Sequence, residues 1–213
     1  MDKPLDLMLV GSTGVVGSHV LAAALDDSRF GKVVAPTRRP LASNKKLVNP
    51  VVNFSNLPTG ADWWKVDAVI CTLGTTIKTA GSQEAFAAVD RELPILFARI
   101  THKAGATRFA LCSSLGASYK GNFYLRTKAE AENGIRAIGF PYFTIVRPSL
   151  IDARREQPRP GEFAAIIFAH VLKPFIPRRY RAVKPERITH ALIEGALSEM
   201  PGERIIESER LQP

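Results

Sequence analysis

The sequence predicts an α/β fold organised as a doubly wound parallel sheet. Three observations carry the prediction. Short, near-continuous apolar runs alternate with helix-length segments along most of the chain, the pattern of strands buried on both faces. The first run ends in a glycine-spaced turn, Gly11-Ser12-Thr13-Gly14-Val15-Val16-Gly17, that opens directly into an apolar helix. Polar residues follow the later runs at Arg38-Arg39, Gly74-Thr75-Thr76, Ser113-Ser114 and Pro148-Ser149. In an open parallel sheet, ligands bind beyond the carboxyl ends of the strands.

Taken in order, residues 5–10 read as the first strand and 14–25 as the first helix. Residues 32–36 and 48–54 are the second and third strand candidates, and 66–73 the fourth. A long helical stretch follows over 82–103, with Ser82 as N-cap and Gly105 as stop. Pro94 inside it predicts a kink or break, because proline lacks the N–H that the helix needs. Residues 108–112 form a fifth strand, 123–137 a helix stopped near Gly139, and 142–146 a sixth strand. Beyond Ile151 the alternation weakens. Residues 154–161 read as a charged, proline-rich loop, 162–171 as a helix, 173–177 as irregular, 185–197 as a helix and 203–206 as a last edge strand. The expected organisation is one nucleotide-binding domain over 1–213, with 151–213 an annex closing a substrate pocket over the strand ends.

With 213 residues the chain can bury a full core without staples. Its net charge of +9 comes from scattered residues and a few local pairs, with no aromatic-basic interleaving, so nucleic acid is not the expected partner. The longest apolar stretch, 163–172, is interrupted by His170 and is too short for a stable membrane span. Cys71 and Cys112 each close an apolar run and read as inert buried thiols in a reducing compartment. His19, His102, His170 and His190 lack metal-ligand spacing, so no metal is expected. The first residues, with Asp2, Lys3, Pro4 and Asp6, do not read as a signal peptide, and a cytoplasmic location is the expectation. A small-molecule substrate is the expected partner, and a homodimer is compatible with the sequence.

The glycine turn has the chemistry of a phosphate site. Gly11 permits the tight turn, Gly14 lets a pyrophosphate approach the backbone, and Gly17 lets the helix pack closely on the strand. The first free N–H groups of the helix then face the anion. Arg38 and Arg39 follow the second strand, where an NAD site usually places a carboxylate for the ribose 2′-hydroxyl. Two guanidinium forks with no nearby acid match an extra phosphate instead, so the expected cofactor is NADP(H).

Ser114, Tyr124 and Lys128 form the second constellation. Tyr124 and Lys128 are spaced i, i+4 on one helical face. A lysine cation stabilises a phenolate, which suits the tyrosine to exchange a proton with a carbonyl or alcohol oxygen as hydride moves. A serine at the preceding strand end can bond the same oxygen. Tyr180 and Lys184 repeat the spacing but sit between Arg178-Arg179 and Pro185, with no helix to hold it, and read as a decoy.

Together these motifs resemble the short-chain dehydrogenases/reductases of the atypical, extended-like kind, in the subgroup related to a human Tat-interacting oxidoreductase-like protein. The resemblance is carried by Gly11 to Gly17, Cys71-Thr72-Leu73-Gly74-Thr75-Thr76, Ala88-Val89-Asp90, Ser113-Ser114, Tyr124-Leu125-Arg126-Thr127-Lys128, Arg147-Pro148 and Arg159-Pro160-Gly161-Glu162. It implies a Rossmann sheet in the order 3-2-1-4-5-6-7 and bound NADP(H). It also implies that Cys71 to Thr76 lines the nucleotide and that Pro148 and Ser149 approach the nicotinamide. Ser114 is the catalytic serine by position, with Ser113 second. Two departures stand out: Asp90 occupies the place of a relay asparagine, and Val52-Asn53-Phe54-Ser55 stands where an acid near adenine is common. The implied function is an NADP(H)-dependent oxidoreductase acting on a carbonyl or alcohol. The alternative is a non-catalytic NADP(H)-binding redox sensor that acts through a protein partner.

Overall fold

The computed structural model describes residues 3–152 and 176–213. Its centre is a seven-stranded, wholly parallel sheet of β1 (Leu5–Val10), β2 (Phe30–Val34), β3 (Leu47–Val48), β4 (Ala68–Cys71), β5 (Arg108–Cys112), β6 (Tyr142–Arg147) and β7 (Gly202–Glu207). The spatial order is β3-β2-β1-β4-β5-β6-β7, as the resemblance implies. Strand order reverses at β1, since β2 and β3 run to one side of it and β4 to β7 to the other. The carboxyl ends of β1 and β4 therefore flank the crevice where such sheets bind ligands.

Successive residues of a strand point to opposite faces, and both faces here are covered. Leu7, Leu9, Ile70 and Ala110 pack in one cluster with Val16 and Val20 of α1 (Val15–Asp26). Met8, Val10, Val69 and Phe109 pack in the other, with Phe97 and Trp64. This two-sided burial is why the strands read as unbroken apolar runs. On the second face lie α4 (Leu93–Lys103) and α5 (Phe123–Arg136), whereas α6 (Pro185–Ala196) joins α1 on the first through Ile188 and Leu192.

The expected third strand over 48–54 is only Leu47–Val48, with one further bridge between Thr37 and Val51. Pro50 supplies a carbonyl to Thr37 N–H but no N–H of its own, so the ladder cannot run on. The long helix expected over 82–103 is divided. It consists of α3 (Gln83–Ala87), a π-helical turn (Ala88–Glu92) and α4. Ser82 caps α3 by accepting from Ala85 N–H. Leu93 N–H reaches back to Ala88 O, and Pro94 takes a first-turn position in α4, where it does no harm. The short α2 (Ile77–Ala80), capped by Thr76, was not expected. Tyr180 closes an exposed 3₁₀ turn and Lys184 precedes α6, so the decoy pair shares no helix. The loop expected at 154–161, the helix at 162–171, most of 173–177 and the 159–162 motif lie outside the described residues. Much of the pocket-closing role expected of 151–213 falls there as well.

Phe109 is fully buried in the second cluster, with its ring 5.1 Å from Phe140 and 6.2 Å from Phe143. Replacing it with alanine is expected to cost about 3–5 kcal/mol in urea denaturation, as for other buried aromatic truncations.

Candidate functional site

The turn from β1 to α1 is shaped by what it lacks. Gly11 has φ +93°, a left-handed backbone that side chains avoid. A Cβ on Gly17 would lie 2.0 Å from Gly11 O, so the helix start approaches the strand end as closely as backbone allows. Gly14 differs: a Cβ there would meet only Gly11 O at 3.5 Å, so the space beside it is open. Gly14 is the N-cap of α1 and no side chain caps the helix. Thr13, Gly14 and Val15 are exposed, whereas Val16 and Gly17 are buried. Ser12 is buried, and its Oγ has no hydrogen-bond partner. A buried hydroxyl is rarely left unpaired. An open glycine, uncapped helix amides and an orphan hydroxyl suit the phosphates of a nucleotide.

Thr72 ties the end of β4 to this turn, its Oγ1 donating to Val10 O at 3.1 Å and to Gly11 O at 3.2 Å. Beyond it Leu73 and Thr75 are half-buried and Gly74 is exposed. Cys71 is fully buried, and burial pushes its thiol up to about 12. It is therefore a packing residue in the stretch expected to line the nucleotide. Arg38 and Arg39 are exposed after β2, and neither guanidinium has a partner among the described residues. Their loop is braced from below. Thr37 Oγ1 donates to Arg39 O at 2.6 Å. Asn49 donates to Ala35 O and Thr37 Oγ1 and accepts from Leu41 N–H.

Tyr124 and Lys128 lie on α5, which Asn122 caps by accepting from Leu125 N–H. The half-buried Tyr124 ring packs against buried Phe86, 5.5 Å between centroids. Lys128 Nζ lies 5.9 Å from the Tyr124 ring centroid and 2.6 Å from Asp90 Oδ1. Burial works against the ammonium, but Asp90 and Tyr124 outweigh it and hold Lys128 above the ordinary lysine range.

The two serines after β5 have different surroundings. Ser113 is buried, and its Oγ donates to Glu132 Oε1 at 2.5 Å. Glu132 in turn receives a two-pronged bond from Arg147 at 3.0 and 2.6 Å, and Arg147 also reaches Glu207 Oε1 at 2.9 Å. These carboxylates hold the Arg147 guanidinium well above its usual range. Ser114 is half-buried, and its Oγ has only a long 3.5 Å contact to Leu115 O. Its hydroxyl is the freer of the two. Pro148 is buried and accepts from Leu115 N–H. Ser149 Oγ donates to Arg181 O, and its N–H to Ser208 Oγ.

The network around Glu132 escaped the reading of the sequence. Its signal was present: Tyr124, Lys128 and Glu132 step by four along one face, and an acid on a buried face requires a cation. The brace by Asn49 had no local signal. Two clefts of about 300 and 410 Å³ lie elsewhere, one at the amino ends of β6 and β7 and one between α1 and α6. Neither borders the glycine turn or Tyr124. Among the described residues no cluster is arranged to hold a metal ion, and no helix is long and apolar enough to cross a membrane.

A parallel sheet with reversed strand order and an open glycine turn at the reversal defines a nucleotide-binding protein of the Rossmann class. The chain belongs to the NAD(P)H-binding family, whose profile matches residues 11–163. It is 33% identical to Protein fmp52, mitochondrial, of Emericella nidulans over 78% of this chain and 76% of that one. It is 30% identical to Protein HTATIP2 of Rattus norvegicus over 92% of this chain and 83% of that one. Among solved structures, MoeE5 in complex with UDP-glucuronic acid and NAD superposes with a TM-score of 0.73 at 18% identity, covering 95% of this chain and 76% of that one. The fungal relatives are named as mitochondrial, which overturns the expected cytoplasmic location. The cytoplasmic expectation rested only on reading Asp2, Lys3, Pro4 and Asp6 as unlike a secretory signal, which does not bear on other compartments.

Arg147 is mostly buried, and removal of Glu132 would leave its charge half-partnered. Glu132→Ala is expected to cost about 3 kcal/mol in urea denaturation.

Proposed function

We propose that this chain is an NADP(H)-dependent oxidoreductase that interconverts a carbonyl and an alcohol. The observation that carries the proposal is Tyr124 beside the buried Lys128 ammonium on α5, with the free Ser114 hydroxyl at the neighbouring strand end. Gly11, Ser12, Thr13, Gly14, Val15, Val16 and Gly17 would hold the pyrophosphate, Arg38 and Arg39 the 2′-phosphate. Cys71, Thr72, Leu73, Gly74 and Thr75 would line one side of the nicotinamide half, and Pro148 and Ser149 the other. The bound nucleotide supplies or accepts hydride.

In the reducing direction Tyr124 donates its hydroxyl proton to the substrate oxygen, and Ser114 Oγ–H bonds that oxygen and orients it. The Lys128 cation, 5.9 Å from the Tyr124 ring centroid, would stabilise the phenolate left behind and would hold the nicotinamide ribose. Oxidation runs the same transfers backwards. The preference for NADP(H) is supported by two guanidiniums without partners among the described residues, on a braced loop with no acid between Pro36 and Lys46. The names of the fungal relatives support a mitochondrial setting. The segment 151–213 would contribute to the substrate pocket.

Tyr124→Phe is expected to lower carbonyl-reductase turnover by roughly 10²–10⁴-fold while NADPH binding persists. Unchanged turnover would remove the assignment. NADPH binding without turnover in the unaltered protein, across a broad carbonyl screen, would favour the redox-sensor alternative. Replacing Arg38 and Arg39 together by alanine should weaken NADPH at least about tenfold in calorimetry and leave NADH nearly unchanged, since each charged phosphate contact is worth about 1.5–3 kcal/mol. Equal losses for both nucleotides would end the case for the 2′-phosphate.

A further inference from the structure

Asp90 stands where the resembled family often has a neutral asparagine, and its surroundings give the carboxylate a task. It lies in the π-helical turn between α3 and α4, with a side chain 0% exposed. Oδ2 accepts from Thr75 N–H at 2.9 Å, in the turn after β4. Oδ1 lies 2.6 Å from Lys128 Nζ and has no other donor. The pair sits directly beneath Gly74, where a Cβ would lie 3.6 Å from Asp90 Oδ1 and 3.7 Å from Lys128 Nζ.

The groups that act on Lys128 are Asp90 from the π turn, Tyr124 from its own helix, Cys112 from β5 and Cys71 from β4. Burial pushes the two thiols up to about 12 and about 11, so both are neutral at physiological pH. Asp90 is therefore the anion of this cluster among the described residues. A lysine buried without a partner sheds its proton, and an unanchored ammonium on a four-carbon stem has no fixed position. We propose that Asp90 is a positioning residue for the Tyr124–Lys128 pair: its carboxylate keeps Lys128 protonated and pins the ammonium under the turn that lines the nicotinamide side. The placement of the nicotinamide rests on the function proposed above; the ion pair does not.

Asp90→Asn separates charge from bracing, because the amide oxygen can still accept from Thr75 N–H. Asp90→Asn, Lys128→Met and the double variant are compared with the unaltered protein by urea denaturation from pH 5 to 9, without nucleotide. In the unaltered protein Lys128 is protonated both folded and unfolded across this range and adds no pH dependence. In Asp90→Asn the folded lysine binds its proton less tightly than the unfolded one. The folding constant then gains up to about tenfold per pH unit relative to the unaltered protein as pH rises above the lowered folded pKa. In Lys128→Met the unpaired Asp90 binds its proton more tightly when folded, so stability falls with rising pH and the slope reverses. The double variant returns to the unaltered slope.

A second arm titrates NADPH over the same range. Asp90→Asn should lose affinity by roughly tenfold with rising pH relative to the unaltered protein, and the double variant should lose the pH dependence. Slopes in both single variants equal to that of the unaltered protein overturn the proposal. If Asp90→Asn does not fold, the reversed slope of Lys128→Met and its loss in the double variant decide the first arm. A charge effect on folding with no pH-dependent change in NADPH affinity overturns the positioning role. Failure of the unaltered protein to bind NADPH at any pH ends the cofactor assignment, while the first arm still decides the charge state of Lys128.

Discussion

No room for a single carbon atom exists between Gly17 and the carbonyl of Gly11, and much of the molecule follows from that contact. It sets the start of α1 against the end of β1, so the uncapped amides of the helix open at the tip of the strand. Thr72 bonds the carbonyls of Val10 and Gly11, which draws the end of β4 to this point. Strand order reverses there, the place where open parallel sheets bind ligands. A larger side chain at Gly17 would push the helix off the strand and dissolve the arrangement.

The sheet around this contact is buried on both faces, and its apolar strands have no use for polar side chains until they end. Polar groups therefore gather at the carboxyl ends, and some are carried inward with them. Several of these are paired in two largely buried groups. Ser113, Glu132, Arg147 and Glu207 link β5, α5, β6 and β7. Asp90 and Lys128 link the π turn to α5. Charges withdrawn from water at such cost hold their geometry only when partnered. The partnering leaves Ser114 free beside a serine that is fully engaged.

The division of the long helix follows the same logic. Pro94 cannot donate to the preceding turn, and the backbone answers with one wider turn rather than a break. Asp90 lies in that turn, buried and within reach of both Thr75 and Lys128. The solved structures that superpose on this chain share the frame at low identity.

The sequence by itself determined the strand and helix succession, the glycine turn, the placement of Tyr124 and Lys128 on one helix and the dismissal of Tyr180. Each depends on spacing within a short stretch, where backbone geometry leaves few alternatives. It overstated β3, because the ladder partner that Pro50 cannot supply matters only once strands are paired. Which serine is free, what braces Arg38 and Arg39, and what Asp90 faces were decided by tertiary structure alone. Apart from the local Thr37–Arg39 bond, the main ones join residues 12 to 60 positions apart, and only the packed fold determines their partners.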